Sequence, residues 1–196
     1  PDHLKLDKEI EKILEKKNIP FKFFKGNILN EYQSITKNDG TPFKVFSPFW
    51  RNAEQVFLDA VPQKTSEIKK LKSKKTIFNS KDTFKQIMPK KDWFKKFDQY
   101  WKPSEDEAHK NLKEFISNRI SKYGVDRDYP SINGSSKLSP YIRNGQIHVA
   151  AIYEKSSKDI KKNISIRKYI NELGWREFSH SLINYFPQML KGNLRK

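Results

Sequence analysis

Three short stretches of this chain hold more chemistry than a packed core requires. In Asn171-Glu-Leu-Gly-Trp-Arg-Glu-Phe178, a helical advance of roughly 100° per residue puts Glu172, Trp175, Arg176 and Ser179 on one face. Ile166, Ile170 and Leu173 fall on another, the packed one. A carboxylate, an aromatic plane and a guanidinium on one stripe suit a flat, anionic, hydrogen-bonding ligand. A half-exposed Trp beside a Glu–Arg pair four residues apart is the plainer use of the same residues. In Gly134-Ser-Ser-Lys-Leu-Ser-Pro-Tyr-Ile-Arg-Asn-Gly145, Gly134, Ser135 and Ser136 offer backbone N–H and hydroxyl donors. Ser139 is placed to cap a following helix, whose positive end receives phosphate. An ordinary capped helix has the same signature. The third stretch is Tyr123-Gly-Val-Asp-Arg-Asp-Tyr-Pro130.

Other chemistries are excluded by what the chain lacks. Without cysteine there are no disulfides, zinc–thiolate sites, iron–sulfur clusters or cysteine nucleophiles. His3, His109, His148 and His180 have no metal-ligand spacing and read as surface or packing residues, so no metal site is expected. No Gly-x-Gly-x-x-Gly, phosphate-binding P-loop or Gly-x-Ser-x-Gly occurs, and protein-only hydrolysis has no support.

The 196 residues carry 40 Lys and Arg against 23 Asp and Glu, a net charge of +17. Such a field attracts polyanions, of which nucleic acid is the commonest soluble one. A lysine-rich surface serving solubility is the alternative. Hydrophobic residues at 35% and aromatics at 13% support packed cores. No apolar run approaches the roughly 20 residues of a membrane span, and no signal-peptide pattern opens the chain. The composition reads as that of a soluble, cytoplasmic protein.

These stretches need elements to position them. Leu6, Ile10, Ile13 and Leu14 predict a helix from about Asp2 to Lys17, ended by Asn18 and Pro20. Phe21 to Phe24 reads as a short strand. Ser47-Pro48 predicts a helix from Phe49 to about Val61, with Ser47 as its cap. Residues 62–103 are lysine-rich without sustained period and read as a long connection with short helical pieces. Ser104-Glu-Asp-Glu107 is a capping box, and Ser139-Pro140 and Ile166 to Pro187 predict further helices. The expected order is therefore α/β, then linker, then all-α. Both ends read as cut, because no strands precede the first helix of the α/β part and the last long helix has no obvious partner for its apolar faces.

Taken in order, these motifs resemble the DNA photolyase/cryptochrome family. Thr41-Pro-Phe-Lys-Val-Phe-Ser-Pro-Phe-Trp50 resembles the segment leaving its antenna domain. Tyr-x-x-x-Arg-Asp-x-Pro, Gly-Ser-Ser-Lys-Leu-Ser-Pro-Tyr-Ile-Arg-x-Gly and Glu-Leu-x-Trp-Arg-Glu-Phe resemble the first half of its flavin domain. The resemblance implies residues 1–61 as the C-terminal part of a Rossmann-like α/β antenna domain and 62–103 as an interdomain linker. Residues 104–196 would open the helical FAD-binding domain, the whole being an internal piece of a longer protein.

The implied activity is light-driven repair of cyclobutane pyrimidine dimers by electron transfer from reduced FAD, with UV-damaged DNA as partner and a monomer as the acting form. Tyr123, Ser135, Ser136, Lys137, Leu138, Ser139, Tyr169 and Arg176 are the implied cofactor contacts. Glu172 and Trp175 take the catalytic roles, hydrogen-bonding and packing against the lesion. Arg127, Glu172, Trp175, Arg176 and Ser179 are the implied DNA contacts. A second chromophore of folate or flavin type belongs to the intact family architecture. Rival readings are a cryptochrome-type photoreceptor, a (6-4) photoproduct enzyme and a basic, non-catalytic DNA-binding helical module.

Overall fold

The computed structural model describes residues 2–22, 26, 28–57 and 88–194. Helix α1, Asp2–Lys16, ends as its sequence dictates. Asn18 adopts φ +51°, its N–H bonds Glu15 O at 3.0 Å, and Ile19 N–H bonds Leu14 O at 3.0 Å. This is a Schellman closure with Asn in the left-handed position. The apolar side chains of Leu6, Ile10 and Ile13 are exposed.

Helix α2 spans Phe46–Phe57 and starts earlier than Ser47-Pro48 suggests. Ser47 therefore lies inside the first turn rather than capping it, and Pro48 is tolerated there because first-turn N–H groups lack helical partners. The remainder of that expected helix, 58–61, lies outside the described residues, as do 62–87 of the expected connection. Of the connection's described part, Asp92–Gln99 forms a 3-10 helix with no buried residue. The expected strand does not form at Phe21 and Lys22, and Phe23 and Phe24 lie outside the described residues. Among the described residues the only β-type pairing is a single bridge, Thr36 with Pro42. The described fold is helical.

The remaining α-helices among the described residues are α3 (Glu105–Asn118), α4 (Tyr123–Asp126), α5 (Ser139–Arg143), α6 (Val149–Ser156) and α7 (Ile164–Tyr185). Ser104 caps α3 by accepting Glu107 N–H at 3.1 Å. The reciprocal half of the box is not made, since Glu107 turns its carboxylate to Lys110. Asn163 caps α7 through Ser165 and Ile166 N–H. His148 caps α6: Nδ1 accepts Ala150 N–H at 3.1 Å, so Nε2 carries the hydrogen and donates to Gly26 O at 2.8 Å.

Helix α7 is the axis on which the others pack. Contrary to expectation its apolar faces have partners, and several come from the first third of the chain. Trp50, Phe49 and Ala53 of α2 join Ile170, Leu173 and Phe178 of α7 in one core with Leu112, Phe115 and Ile152. Each fully buried aliphatic or aromatic side chain contributes roughly 1.5–3 kcal/mol. Arg167 of α7 pairs with Glu54 of α2, adding a polar tie at the rim.

The two helices can approach this closely only because residue 174 is glycine. A Cβ there would stand 2.5 Å from Trp50 Cε3 and 2.6 Å from Cδ2, so the indole lies directly on the helix backbone. Gly174→Ala must displace a buried ring, and overpacking of this kind costs about 1–3 kcal/mol. A lowered thermal midpoint checks this; an unchanged midpoint would show that Trp50 does not rest on α7.

Candidate functional site

Tyr123, Arg127, Glu172 and Trp175 come together where α4 lies against α7. Gly124 allows that contact, since the stem of Lys168 occupies the space a Cβ would take, 2.8 Å away. Lys168 Nζ then donates to Gly124 O at 3.2 Å. Arg127 Nη1 donates to Glu172 Oε1 at 2.5 Å and to the Tyr123 hydroxyl at 3.2 Å. Its guanidinium carbon sits 5.2 Å from the Tyr123 ring centroid. The hydrogen bond to Glu172 raises the Arg127 pKa further, and burial raises that of Tyr123.

Arg127 and Glu172 line an open cleft of about 320 Å³ with Gly124, Asp128, Lys168, Asn171 and Trp175, and Tyr123 lies behind Arg127. Trp175 is 46% exposed, yet it is not loose. Phe46 stacks on it with centroids 3.8 Å apart and planes 9° apart, and Trp50 stacks behind Phe46 at 6.3 Å and 11°. The indole is thus a supported platform, one side backed by aromatic rings. Sequence spacing does not single out Phe46, Lys168 or Asn171. Only Phe46 carries a signal, its place in the aromatic run before Trp50.

Arg176 does not line this cleft. Helical spacing alone puts it beside Glu172, but its Nη1 donates to Glu177 Oε1 at 2.6 Å. Glu177 is 4% exposed, and a buried carboxylate left without a cation is far costlier than an exposed one. The other oxygen of Glu177 accepts Leu29 N–H at 2.8 Å, which fastens the segment before α2 to α7. Ser179 is likewise occupied, its hydroxyl donating to Trp175 O at 2.8 Å.

The Ser135–Ser139 loop lies nearby through Tyr169. Ser136 hydrogen-bonds the Tyr169 side chain, whose hydroxyl pKa is pushed up to about 12 by burial. The Tyr169 ring meets Tyr123 at 5.1 Å and Phe115 at 4.7 Å. Gly134 permits the loop to fold back, because a Cβ would lie 2.6 Å from Asp126 backbone carbon. Arg119 Nη1 fixes the carbonyls of Asn133 and Ser135 at 3.3 and 2.9 Å. Lys137 takes φ +54°, a left-handed conformation that costs a non-glycine residue about 1 kcal/mol or more.

Leu138 is buried beneath the loop. Ser139 begins α5 instead of capping it, and the cap position, Leu138, makes no side-chain bond. Among the described residues no backbone carbonyl accepts the N–H groups of Ser135, Ser136, Lys137 or Leu138. With carbonyls tied back and amides left open, the loop's donor set matches phosphate oxygens.

A family model described as DNA photolyase matches residues 1–69. The deoxyribodipyrimidine photo-lyase of Agrobacterium fabrum is 29% identical over 199 residues, covering 98% of this chain and 41% of the relative. That of Alkalihalophilus pseudofirmus is 31% identical over 194 residues, covering 92% of this chain and 37% of the relative. A crystal structure of a bacterial class III photolyase from Agrobacterium tumefaciens matches with a TM-score of 0.77 at 26% identity, covering 98% of this chain and 40% of that one. The chain thus spans about 40% of the length of these relatives.

Burial dominates Glu177 and raises its pKa above the usual carboxylate value of 4.5 despite the Leu29 N–H and Arg176. The folded state then holds this proton more tightly than the unfolded state, so stability falls as pH rises from 4.5 through the raised value. Wild type should therefore gain stability relative to Glu177→Gln as pH drops through that window. Urea unfolding of both proteins across the acid range checks the sign; a difference running the other way would show that Arg176 outweighs burial.

Proposed function

Because the chain belongs to the DNA photolyase family, we propose that it serves light-driven repair of cyclobutane pyrimidine dimers in DNA. The observation that carries this reading is the cleft of Arg127, Glu172 and Trp175. A basic protein holds DNA through its phosphates. A dimer stacks poorly and leaves the duplex at low cost, and a dimer turned out into the cleft meets a flat indole. Phe46 keeps that indole from tilting. Glu172 accepts hydrogen bonds from the base edges, and Arg127 holds its carboxylate in one orientation. Glu172 beside Trp175 favours repair over the photoreceptor role of cryptochromes.

FAD is the cofactor this reading needs, and the loop fits its diphosphate. Ser135, Ser136, Lys137, Leu138 and Ser139 supply open amides and hydroxyls, and Tyr169 and Tyr123 supply buried aromatic walls. When bound in reduced form, FAD supplies the light-driven electron that opens the cyclobutane ring. Arg176, held at α7 by Glu177, is the cation on the cofactor side, and Ser179 stands on the DNA side. Residues 1–61 belong in this reading to the end of the antenna domain, 62–103 to the linker and 104–196 to the beginning of the FAD-binding domain. A folate or flavin antenna would lie with the first of these.

Glu172→Ala should leave FAD retention on gel filtration unchanged. Light-dependent loss of dimers from an oligonucleotide should fall roughly tenfold to a hundredfold, the worth of a hydrogen bond to a charged group. Equal loss of flavin and repair would contradict the role of Glu172.

A further inference from the structure

A second basic surface lies away from the lesion cleft. Two adjoining clefts, of about 400 and 500 Å³, share Ile116, Ser117, Lys155 and Lys158 as lining and so form one groove. Its walls are α3 on one side and, on the other, the end of α6 with the turn leading to α7. No lining residue is common to this groove and the cleft of Glu172 and Trp175.

The floor is apolar, formed by Ile116, Ile120 and Ile166, while the rim is cationic, with Lys110, Lys113, Lys155, Lys158 and Lys162. Lys110 and Lys162 have carboxylate partners, Glu107 and Asp159. Among the described residues Lys113, Lys155 and Lys158 have none within ion-pair distance. Asp159, which also lines the groove, is taken up by Lys162, so three like charges around one groove are left unpaired and repel one another. A polyanion relieves that repulsion and releases its own counterions in doing so.

The second observation is Ser156, which lines the 400 Å³ part of the groove. It is 3% exposed, and its Oγ has no hydrogen-bond partner. A buried hydroxyl without an acceptor is uncommon and costs stability. A phosphate oxygen seated between Lys155 and Lys158 would supply the missing acceptor.

We infer that this groove holds the phosphate backbone of duplex DNA, a contact separate from the lesion cleft. The inference rests on the DNA-repair reading, and its test uses undamaged duplex so that failure of the groove and failure of the lesion cleft read out separately. The chain is titrated with a fluorescent duplex at several salt concentrations. The variant Lys113→Gln/Lys155→Gln/Lys158→Gln should lower the slope of log affinity against log salt by about 2–3, near one for each phosphate no longer neutralised. Lys5→Gln/Lys8→Gln/Lys12→Gln on α1, with the same change in net charge, should lower it by less than about one. Ser156→Ala should hold or raise its thermal midpoint, because an unpartnered hydroxyl is removed, and bind several-fold more weakly. An unchanged slope in the groove variant, or an equal decrease in the α1 variant, would overturn the inference. Wild-type affinity in Ser156→Ala would overturn the seating of phosphate against that hydroxyl.

Discussion

The close approach of Trp50 to the backbone at Gly174 is the constraint on which the rest of the molecule depends. It brings a helix from the first third of the chain onto the long helix of the last third. Everything placed by α2 follows. Phe46 reaches Trp175 because α2 crosses α7 at this point, and its ring turns a half-exposed indole into a firm surface. Leu29 reaches the buried carboxylate of Glu177 because the chain before α2 must run along the same helix. A side chain at 174 would push these groups apart together, so one missing Cβ links core packing to the geometry of the cleft.

Charge is distributed by burial. Glu172, Arg176 and Glu177 stand within two turns of α7 with Arg127 beside them, and helical spacing leaves their pairing open. The buried carboxylate, Glu177, takes Arg176 because it has no water to fall back on. Glu172, open to solvent, takes Arg127, the residue that follows α4. That exposed pair adds about 1 kcal/mol or less to stability, so its value lies in orientation. The lysines among the described residues lie on the surface, and with a net charge of +17 the chain carries a positive long-range field.

The helical half of the fold was largely legible in sequence because its signals are local. Ser104 announces α3, Asn18 and Pro20 close α1, and Ile166, Ile170 and Leu173 mark the buried face of α7. The helix α6 has no such signal, since its cap is His148 and no Ser, Thr, Asp or Asn precedes it. Ser47 and Ser139 mislead for a related reason. Each precedes a proline, but α2 starts one residue before Ser47 and α5 starts on Ser139 itself. At the site, spacing on a single helix groups Glu172 with Trp175, while the roles proposed for them come from the family resemblance. The partners of Glu172, Trp175 and Arg176 depend on which elements meet, and nothing in a one-helix pattern contains that. Phe46 lies 129 positions from Trp175, and only the α2–α7 crossing brings them together.

The central claim is that the cleft of Arg127, Glu172 and Trp175 receives a pyrimidine dimer turned out of DNA. The most direct measurement is equilibrium binding of the chain to two oligonucleotide duplexes, identical except for a single cyclobutane dimer, at one fixed salt concentration. Phosphate contacts are common to both, so any difference belongs to the lesion. The account predicts tighter binding of the dimer-containing duplex by about tenfold, the scale of one good stacking contact, with the preference abolished in Trp175→Ala. Equal affinity for the two duplexes would contradict it.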